Sequence, residues 1–578
     1  MKSSSAPVYA WDKSTLIQTG NYKNTLDIKL NAIDLNNLVH CTDINCNSTE
    51  HRYCIDKLCK HIIDCCLGAA DQCIPLVKSS DKIIPGWNNH AKQEREQSLF
   101  WHWIWSESGK PYTGLIYNLM KKTRHTYHYA VRRLKKEKLN MQRSKLADIH
   151  SDNNLFWQNI KSLNPANKTI PTSVDGKQGS SEIAKLFRSK YELLYNSVPT
   201  SGSVLSGISN EIDDRLSHDP IDCYVTPYMI CTCISKLKKN KSDGDRGFNS
   251  NHLIYGCHRL NVILSILFNS MMSHGYYPQE LLKSTIISIP KDRSASLSNS
   301  DNYRGISLFN SMCKLFDYVI IELSGTSLST SDMQFGFKRE HSTTMCTVIL
   351  KEVVNHYIDG NSNVYCCLLD ASKAFDRVNF GKLFSTLLSR QMPPQLLRLI
   401  VNNYVRQQAR VAWSDYFSSY FDISNGVKQG GVLSAQLFTI YIDSLLIQLK
   451  MSGYGCHISG NFMGALSYAD DITLLCPSLR GLNAMLQLCS KYADNFDITF
   501  NAKKTVCIKF GAKLNGYECA ILNRKTISWV DRIRHLGNYL DTTLSDKIDC
   551  KAKISAYIGY VNTLLVNFGH LQHTTICS

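Results

Sequence analysis

The sequence predicts an α+β chain, with a helical N-terminal part leading into a core where short strands alternate with helices. Three observations carry this. Residues 1 to about 165 show helical spacing and little period-two alternation. From Ser284-Thr-Ile-Ile-Ser-Ile289 to about residue 540, short apolar runs bounded by turn residues alternate with helical segments. Leu466-Ser-Tyr-Ala-Asp-Asp-Ile-Thr-Leu-Leu475 reads as a β-hairpin whose tight turn carries Asp470 and Asp471.

In chain order, residues 1–83 form a helix-leaning lead-in without legible chemistry. Residues 84–165 open on the turn Ile84-Pro85-Gly86-Trp87, pass through a helix bearing Trp101, Trp103 and Trp105, and continue into a basic tract. That tract holds Lys121, Lys122, Arg124, Arg132, Arg133, Lys135, Lys136, Lys138, Arg143 and Lys145 against the single acid Glu137. Residues 166–222 are Ser/Gly-rich and polar, as in a flexible linker or surface insertion. Residues 223–269 return to helical periodicity through Ile230, Ile234 and Leu237, then a turn-rich loop from Lys241 to Gly247 and an apolar helix from Leu260 to Met272. Residues 270–540 carry the strand–helix alternation, and 541–578 end on a helix-like segment.

With 43% hydrophobic and 20% charged residues, the composition is that of a globular protein. The net charge of +17, concentrated in the basic tract, points to a polyanionic partner. Tyr112, Tyr117, Tyr127 and Tyr129 lie within or just before the tract, and aromatics beside bases suit single-stranded nucleic acid. No apolar run approaches the ~20 residues needed to cross a membrane, and no membrane partner is expected. The N-terminus lacks the apolar core of a signal peptide, so the 22 cysteines are read as reduced thiols. Cys41, Cys46, Cys54, Cys59, Cys65, Cys66 and Cys73 cluster with His40, His51 and His61. A zinc site there is conceivable, but the reading favours buried thiols on helices, because no paired short-spaced Cys/His set stands out.

The chemistry centres on acids at strand ends. Adjacent carboxylates repel, so Asp470 and Asp471 call for a positive neighbour such as a divalent metal ion. A third acid, Asp370, ends the apolar run Val364-Tyr-Cys-Cys-Leu-Leu. Alone it could simply cap the next helix. With the acid pair on one sheet, it completes a three-carboxylate cluster suited to two Mg²⁺ ions ~3.5–4 Å apart. Lys291 and Arg304 are candidate cationic contacts for a triphosphate. Asn425-Gly-Val-Lys-Gln-Gly-Gly-Val-Leu-Ser434 is a loop whose glycines allow backbone to approach a ligand, running into a helix expected from Ala435 to Leu449.

Seven segments in order carry a family resemblance: Asp301 to Leu308, Gln334-Phe-Gly-Phe-Lys-Arg-Glu-His-Ser-Thr343, Leu368 to Asn379, Gly426 to Leu437, Tyr468-Ala-Asp-Asp471, Asn501-Ala-Lys-Lys-Thr505 and His535-Leu-Gly-Asn-Tyr-Leu-Asp541. Together they resemble the reverse transcriptases of non-LTR (LINE-type) retrotransposons. The resemblance implies a right-hand polymerase with fingers and a palm carrying an antiparallel sheet within residues 270–540. It also implies a helical N-terminal extension at 84–165, a helical region before the fingers at 223–269, and a partial thumb at 541–578.

By the family pattern, Asp370, Asp470 and Asp471 would be metal ligands, with Ala371 offering its carbonyl. Lys504 would protonate departing pyrophosphate, and Phe375 would be a steric gate against the ribose 2′-hydroxyl. Gln429 and Gly430 would line the incoming nucleotide, with Lys291 and Arg304 on its phosphates. Leu536, Gly537 and Tyr539 would belong to the primer grip. The implied cofactor is Mg²⁺, two ions, with Mn²⁺ as a substitute. The implied partners are an RNA template, a DNA primer and deoxynucleoside triphosphates, with the basic tract on nucleic acid and residence in the nucleus after cytoplasmic assembly on RNA.

Two departures stand out: Glu340 where many relatives have glycine, and Ala435 in place of a frequent proline at a helix start. The family's N-terminal endonuclease is not legible in residues 1–80, and little follows the primer-grip segment, so the chain reads as part of a longer element. The alternative reading is a catalytically weak or inactive nucleic-acid-binding relic of such a polymerase.

Overall fold

A computed structural model describes residues 8–35, 41, 46, 48–76, 91–147, 171–218, 223–241, 247–371, 373–512 and 519–568. The chain divides into two compact units, one of residues 1–77 and 171–549, the other of residues 78–170 and 550–578.

The larger unit is built on two five-stranded sheets. One has the order Ala465–Tyr468, Asp471–Cys476, Val364–Leu369, Val506–Phe510 and Ser528–Trp529, antiparallel except at the last pair. Its central strand is apolar throughout because both faces are covered. Val364 and Cys366 face Phe335, Leu350 and Val354, the latter two from the helix Thr343–Asp359. Tyr365, Cys367 and Leu369 face the main core, which includes the helices Val432–Met451 and Leu479–Asn495. The other sheet runs Tyr303–Phe309, Lys283–Pro290, Gln408–Trp413 and Tyr416–Phe417, with Phe421–Asp422 also on Gln408–Trp413.

The lead-in is part of this core. Helices Leu16–Asn31 and Thr49–Cys73 bury Tyr22, Leu26, Ile55, Ile62 and Cys66 in the same apolar cluster as Leu260, Leu264 and Phe268 of the helix His258–Ser273. The Tyr22 hydroxyl donates to the His252 carbonyl at 2.9 Å, and Trp11 stacks on Tyr255 with ring centroids 5.4 Å apart.

Three expectations need correction. Residues 166–222 are not merely a linker where described. The helix Ser180–Leu194 places Ile183, Phe187 and Tyr191 at i, i+4 and i+8 and buries them in the main core, and Gly202–His218 buries Ile208, Ile212 and Leu216. Serines and glycines at the helix ends mask that apolar stripe. The helix expected from Ala435 begins at Val432, after the N-cap Gly431. Ala435 is therefore its fourth residue, where the backbone N–H is needed for helical bonding, and the loss of proline preorganisation does not apply. Finally, that helix, Val432–Met451, is long and apolar enough to cross a membrane, although no such run was expected. It is 67% buried within the fold as a core helix. Its Asp443 is paired with Arg390 at 2.5 Å and accepts from Ser331.

In the smaller unit, the helices Lys92–Glu107 and Leu115–Ala147 form a hairpin. Gly109 and Lys110 take positive φ at the turn, and the Trp105 indole N–H donates to the Pro111 carbonyl at 2.9 Å.

Candidate active site

Asp470 and Asp471 occupy the turn expected for them. Tyr468 pairs with Asp471, leaving Ala469 and Asp470 as a two-residue loop in which Ala469 has φ 60°. An alanine there is strained and must be held by its surroundings. Gln334, fully buried, does this. Its Oε1 accepts from Ala469 N at 3.0 Å and from Gly336 N at 2.8 Å, while its Nε2 donates to Ser467 Oγ at 3.1 Å. Ser467 Oγ in turn donates to the Ala469 carbonyl at 3.0 Å. A Cβ at Gly336 would come within 2.2 Å of Ala469 N, so only glycine permits this approach. The sequence reading passed over Gln334. Its only signal was membership of a matching segment.

Register then brings in the third acid. Ile472 pairs with Leu369, so Asp471 and Asp370 lie one step further along neighbouring strands. Asp370 is fixed on its other side by Asn501 N donating to its carbonyl at 2.9 Å, and Ala371 bridges to Phe500. Burial raises the Asp470 carboxyl above the ordinary aspartate range, with Asp370 adding to the effect and Arg304 opposing it. Asp471 is open at its outer edge. Even so, loss of water first, then the Asp470 and Asp370 charges, push it up to about 6. Among the described residues, no lysine or arginine forms an ion pair with any of the three acids. The site is a set of hard carboxylate oxygens whose mutual repulsion a divalent cation would relieve, a donor set that fits a hard divalent ion.

Of the expected nucleotide contacts, Arg304 lies near enough for its charge to reach Asp470, and Lys291 lies near Arg304. Arg304 is an exposed residue on the strand Tyr303–Phe309, and its charge is felt at Asp470 and Asp376. Lys291 is held below the usual lysine range by burial, then by Lys190, Lys373, Arg304 and Lys504, which marks a cluster of cations. Lys373 and Lys190 were not singled out from the sequence. Lys504 is exposed on the turn before the strand Val506–Phe510.

Phe375 is half-buried, stacked on Phe438 with centroids 4.1 Å apart and edge-on to Phe337. Gln429 donates through Nε2 to Asp376 Oδ1 at 2.7 Å, and its carbonyl accepts from Ser307 N at 3.0 Å. Asp376 also accepts from the Tyr195 hydroxyl at 3.1 Å, and burial pushes its carboxyl up to about 6. Gly430 is exposed with φ 107°, and a Cβ there would meet the Ser307 carbonyl at 3.3 Å.

The Leu536–Gly537 turn, at φ 46° and 92°, joins the hairpin Arg532–His535 and Asn538–Asp541. This hairpin packs through Ile533 and Leu540 on the core face beside Leu350. Tyr539 N donates to Asp549 at 3.0 Å, and the Arg534 guanidinium lies 5.8 Å from the Tyr539 ring centroid. The basic residues Lys121, Lys122, Arg124, Arg132, Arg133 and Lys136 are exposed on the helix Leu115–Ala147 of the other unit. Lys135 is on that helix, but its side chain lies outside the described residues. Glu340 is exposed with φ 64°, a left-handed conformation in which a glycine would be unstrained.

Residues 289–540 match the family described as reverse transcriptase (RNA-dependent DNA polymerase). The chain is similar to the RNA-directed DNA polymerase from mobile element jockey of Drosophila melanogaster, at 26% identity over 56% of this chain and 36% of that protein. Its counterpart from Drosophila funebris is 28% identical over the same shares. The Retrovirus-related Pol polyprotein from type-2 retrotransposable element R2DM of Drosophila melanogaster is 25% identical over 43% of this chain and 23% of that one. The match spans only 36% of the length of the jockey proteins.

Proposed function

We propose that the chain is an RNA-directed DNA polymerase that extends a DNA 3′-end on an RNA template with deoxynucleoside triphosphates. The observation that supports this most is the convergence of Asp370, Asp470 and Asp471 at neighbouring strand ends, with the Asp470 and Asp471 carboxyls raised and no ion-pair partner for the three among the described residues. In this reading the acid-bearing sheet is the palm of a right hand, the sheet around Lys283–Pro290 belongs to the fingers, and the helix Lys547–Phe568 starts the thumb.

Asp370, Asp470, Asp471 and the Ala371 carbonyl would hold two Mg²⁺ ions. When bound, these ions supply Lewis-acid activation of the attacking 3′-oxygen and neutralise charge on the leaving pyrophosphate. Lys291 and Arg304 bind the triphosphate, and Asp376 orients Gln429 toward the base and sugar. Lys504 donates a proton to the pyrophosphate, and the Phe375 ring, fixed by Phe438, closes off space for a 2′-hydroxyl. The exposed basic helix binds template backbone, and residence in the nucleus fits such a substrate. The intact acid cluster and its buried Gln334 support favour a working polymerase over a non-catalytic relic.

The test is extension of a DNA primer on an RNA template by the wild type and by Asp470→Asn. Loss of extension by about 10³-fold or more, with template binding retained, is expected. Equal extension by the variant would overturn the reading.

A further inference from the structure

The described residues contain a second cluster of ligand atoms, unrelated to the carboxylates. Cys41, Cys46, His51 and His274 present two sulfurs and two ring nitrogens that all lie within 4.8 Å of one another. Cys46 Sγ is 3.2 Å from His51 Nδ1, and His51 Nδ1 is 3.2 Å from His274 Nε2. A tetrahedral zinc ion, ~2.3 Å from sulfur and ~2.0–2.1 Å from nitrogen, sets neighbouring donors ~3.3–3.8 Å apart. We propose that these four side chains form a structural zinc site that fastens the N-terminal helices to the polymerase core.

Two further features support it. His274 Nδ1 lies 2.8 Å from the Ser270 carbonyl, which can only accept. That bond fixes the proton on Nδ1 and turns the Nε2 lone pair toward the cluster, the arrangement by which a backbone carbonyl orients a zinc-bound histidine. The donors are also of the right kind, since two thiolates and two imidazoles suit zinc and not the hard cation of the carboxylate site. Their two negative charges balance the ion.

The placement gives the site its purpose. His51 is in the first turn of the helix Thr49–Cys73, where its N–H is capped by Ser48, and His274 ends the helix His258–Ser273. Nearby, the Tyr276 hydroxyl donates to Asp56 at 2.7 Å and the Arg52 guanidinium lies 5.7 Å from the Tyr276 ring centroid, so the two segments are already docked. A metal bond across 223 residues would lock that docking. The spacing Cys41-x4-Cys46-x4-His51 is at the wide end for zinc, and the fourth ligand is remote in sequence. This corrects the sequence reading, which assigned these cysteines to helices. Cys54 to Cys73 are helical, but Cys41 and Cys46 precede the helix.

The full chain, purified under reducing conditions from zinc-supplemented cells, should carry one equivalent of zinc by elemental analysis. After chelation and refilling with cobalt(II), it should show the visible bands of a tetrahedral site and a thiolate-to-metal charge-transfer band. Cys46→Ser and His274→Gln should lose the zinc, while Cys54→Ser and His61→Gln should keep it. Chelation of the wild type should lower its melting temperature, a readout that does not depend on the variants folding. A wild-type chain with no zinc and no tetrahedral cobalt spectrum would show a hydrogen-bonded thiol–imidazole cluster and overturn the proposal. So would retention of zinc by folded Cys46→Ser and His274→Gln.

Discussion

The acid turn at Asp470–Asp471 and the basic helix Leu115–Ala147 both concentrate charge of one sign, and they are built in opposite ways. The acids sit on a sheet covered on both faces and are held by a fully buried glutamine, so their environment shifts their titration. The described bases stand exposed along a helix, with Lys121 near the Tyr117 ring. A rigid, partly dehydrated cluster can select one kind of ligand by geometry and charge density. An exposed row of cations acts by number, through displaced counterions, and tolerates change at any one position. Single substitutions should therefore be severe at the first and mild at the second.

The largest effect belongs to Asp470→Asn, the loss of extension described above. If template binding fell with it, the contrast between a chemical and a binding region would fail. Next comes Gln334→Ala, which touches no ligand but leaves Ala469 N and Gly336 N without their acceptor. Primer extension should fall about 10–100-fold in kcat, and the Mg²⁺ requirement should rise, at a stability cost of about 1–3 kcal/mol. A drop in stability with kcat and Mg²⁺ dependence unchanged would reduce Gln334 to a packing role.

The raised Asp471 carboxyl predicts a pH effect of definite sign. It must be ionised to bind a cation, so the apparent Mg²⁺ affinity should fall about tenfold per pH unit below about 6 for each proton displaced, and level off above it. Because the folded value lies above the ordinary one, ionisation also costs the metal-free fold. That cost sets in as pH rises from the ordinary aspartate value through about 6, and Asp471→Asn should relieve it, raising the melting temperature of the metal-free protein above pH 6. A flat Mg²⁺ affinity between pH 5 and 8, measured by titration, would contradict the shift.

Phe375→Val should raise ribonucleotide incorporation relative to deoxynucleotide by about tenfold or more, since the ring's bulk is the whole of its proposed role. Unchanged sugar selectivity would leave Phe375 as a core partner of Phe438. The mildest case is the combined Lys121→Ala, Lys122→Ala and Arg124→Ala, expected to weaken RNA binding several-fold and to reduce the salt slope by about 0.7–0.9 per lost contact. An unchanged salt slope would remove this face from the nucleic-acid contacts.

The parts of this design that could be read from the chain are those written within short segments. The apolar strand ending at Asp370, the Asp470–Asp471 hairpin, the glycine loop before Val432 and the run of bases after Met120 each declare themselves through local pattern. The helix Ser180–Leu194 was hidden because its polar residues dominate composition, while its apolar stripe matters only once a core receives it.

By itself, then, the sequence determined which local element holds each of the three candidate acids, because turn and strand preferences act over a few residues. Tertiary structure alone decided the rest. It set Asp471 beside Asp370 through strand register, placed Gln334 under the strained Ala469, and brought His274 to Cys46 and His51. Each of these joins segments 100 or more residues apart, and periodicity along the chain carries no record of distances that only packing fixes.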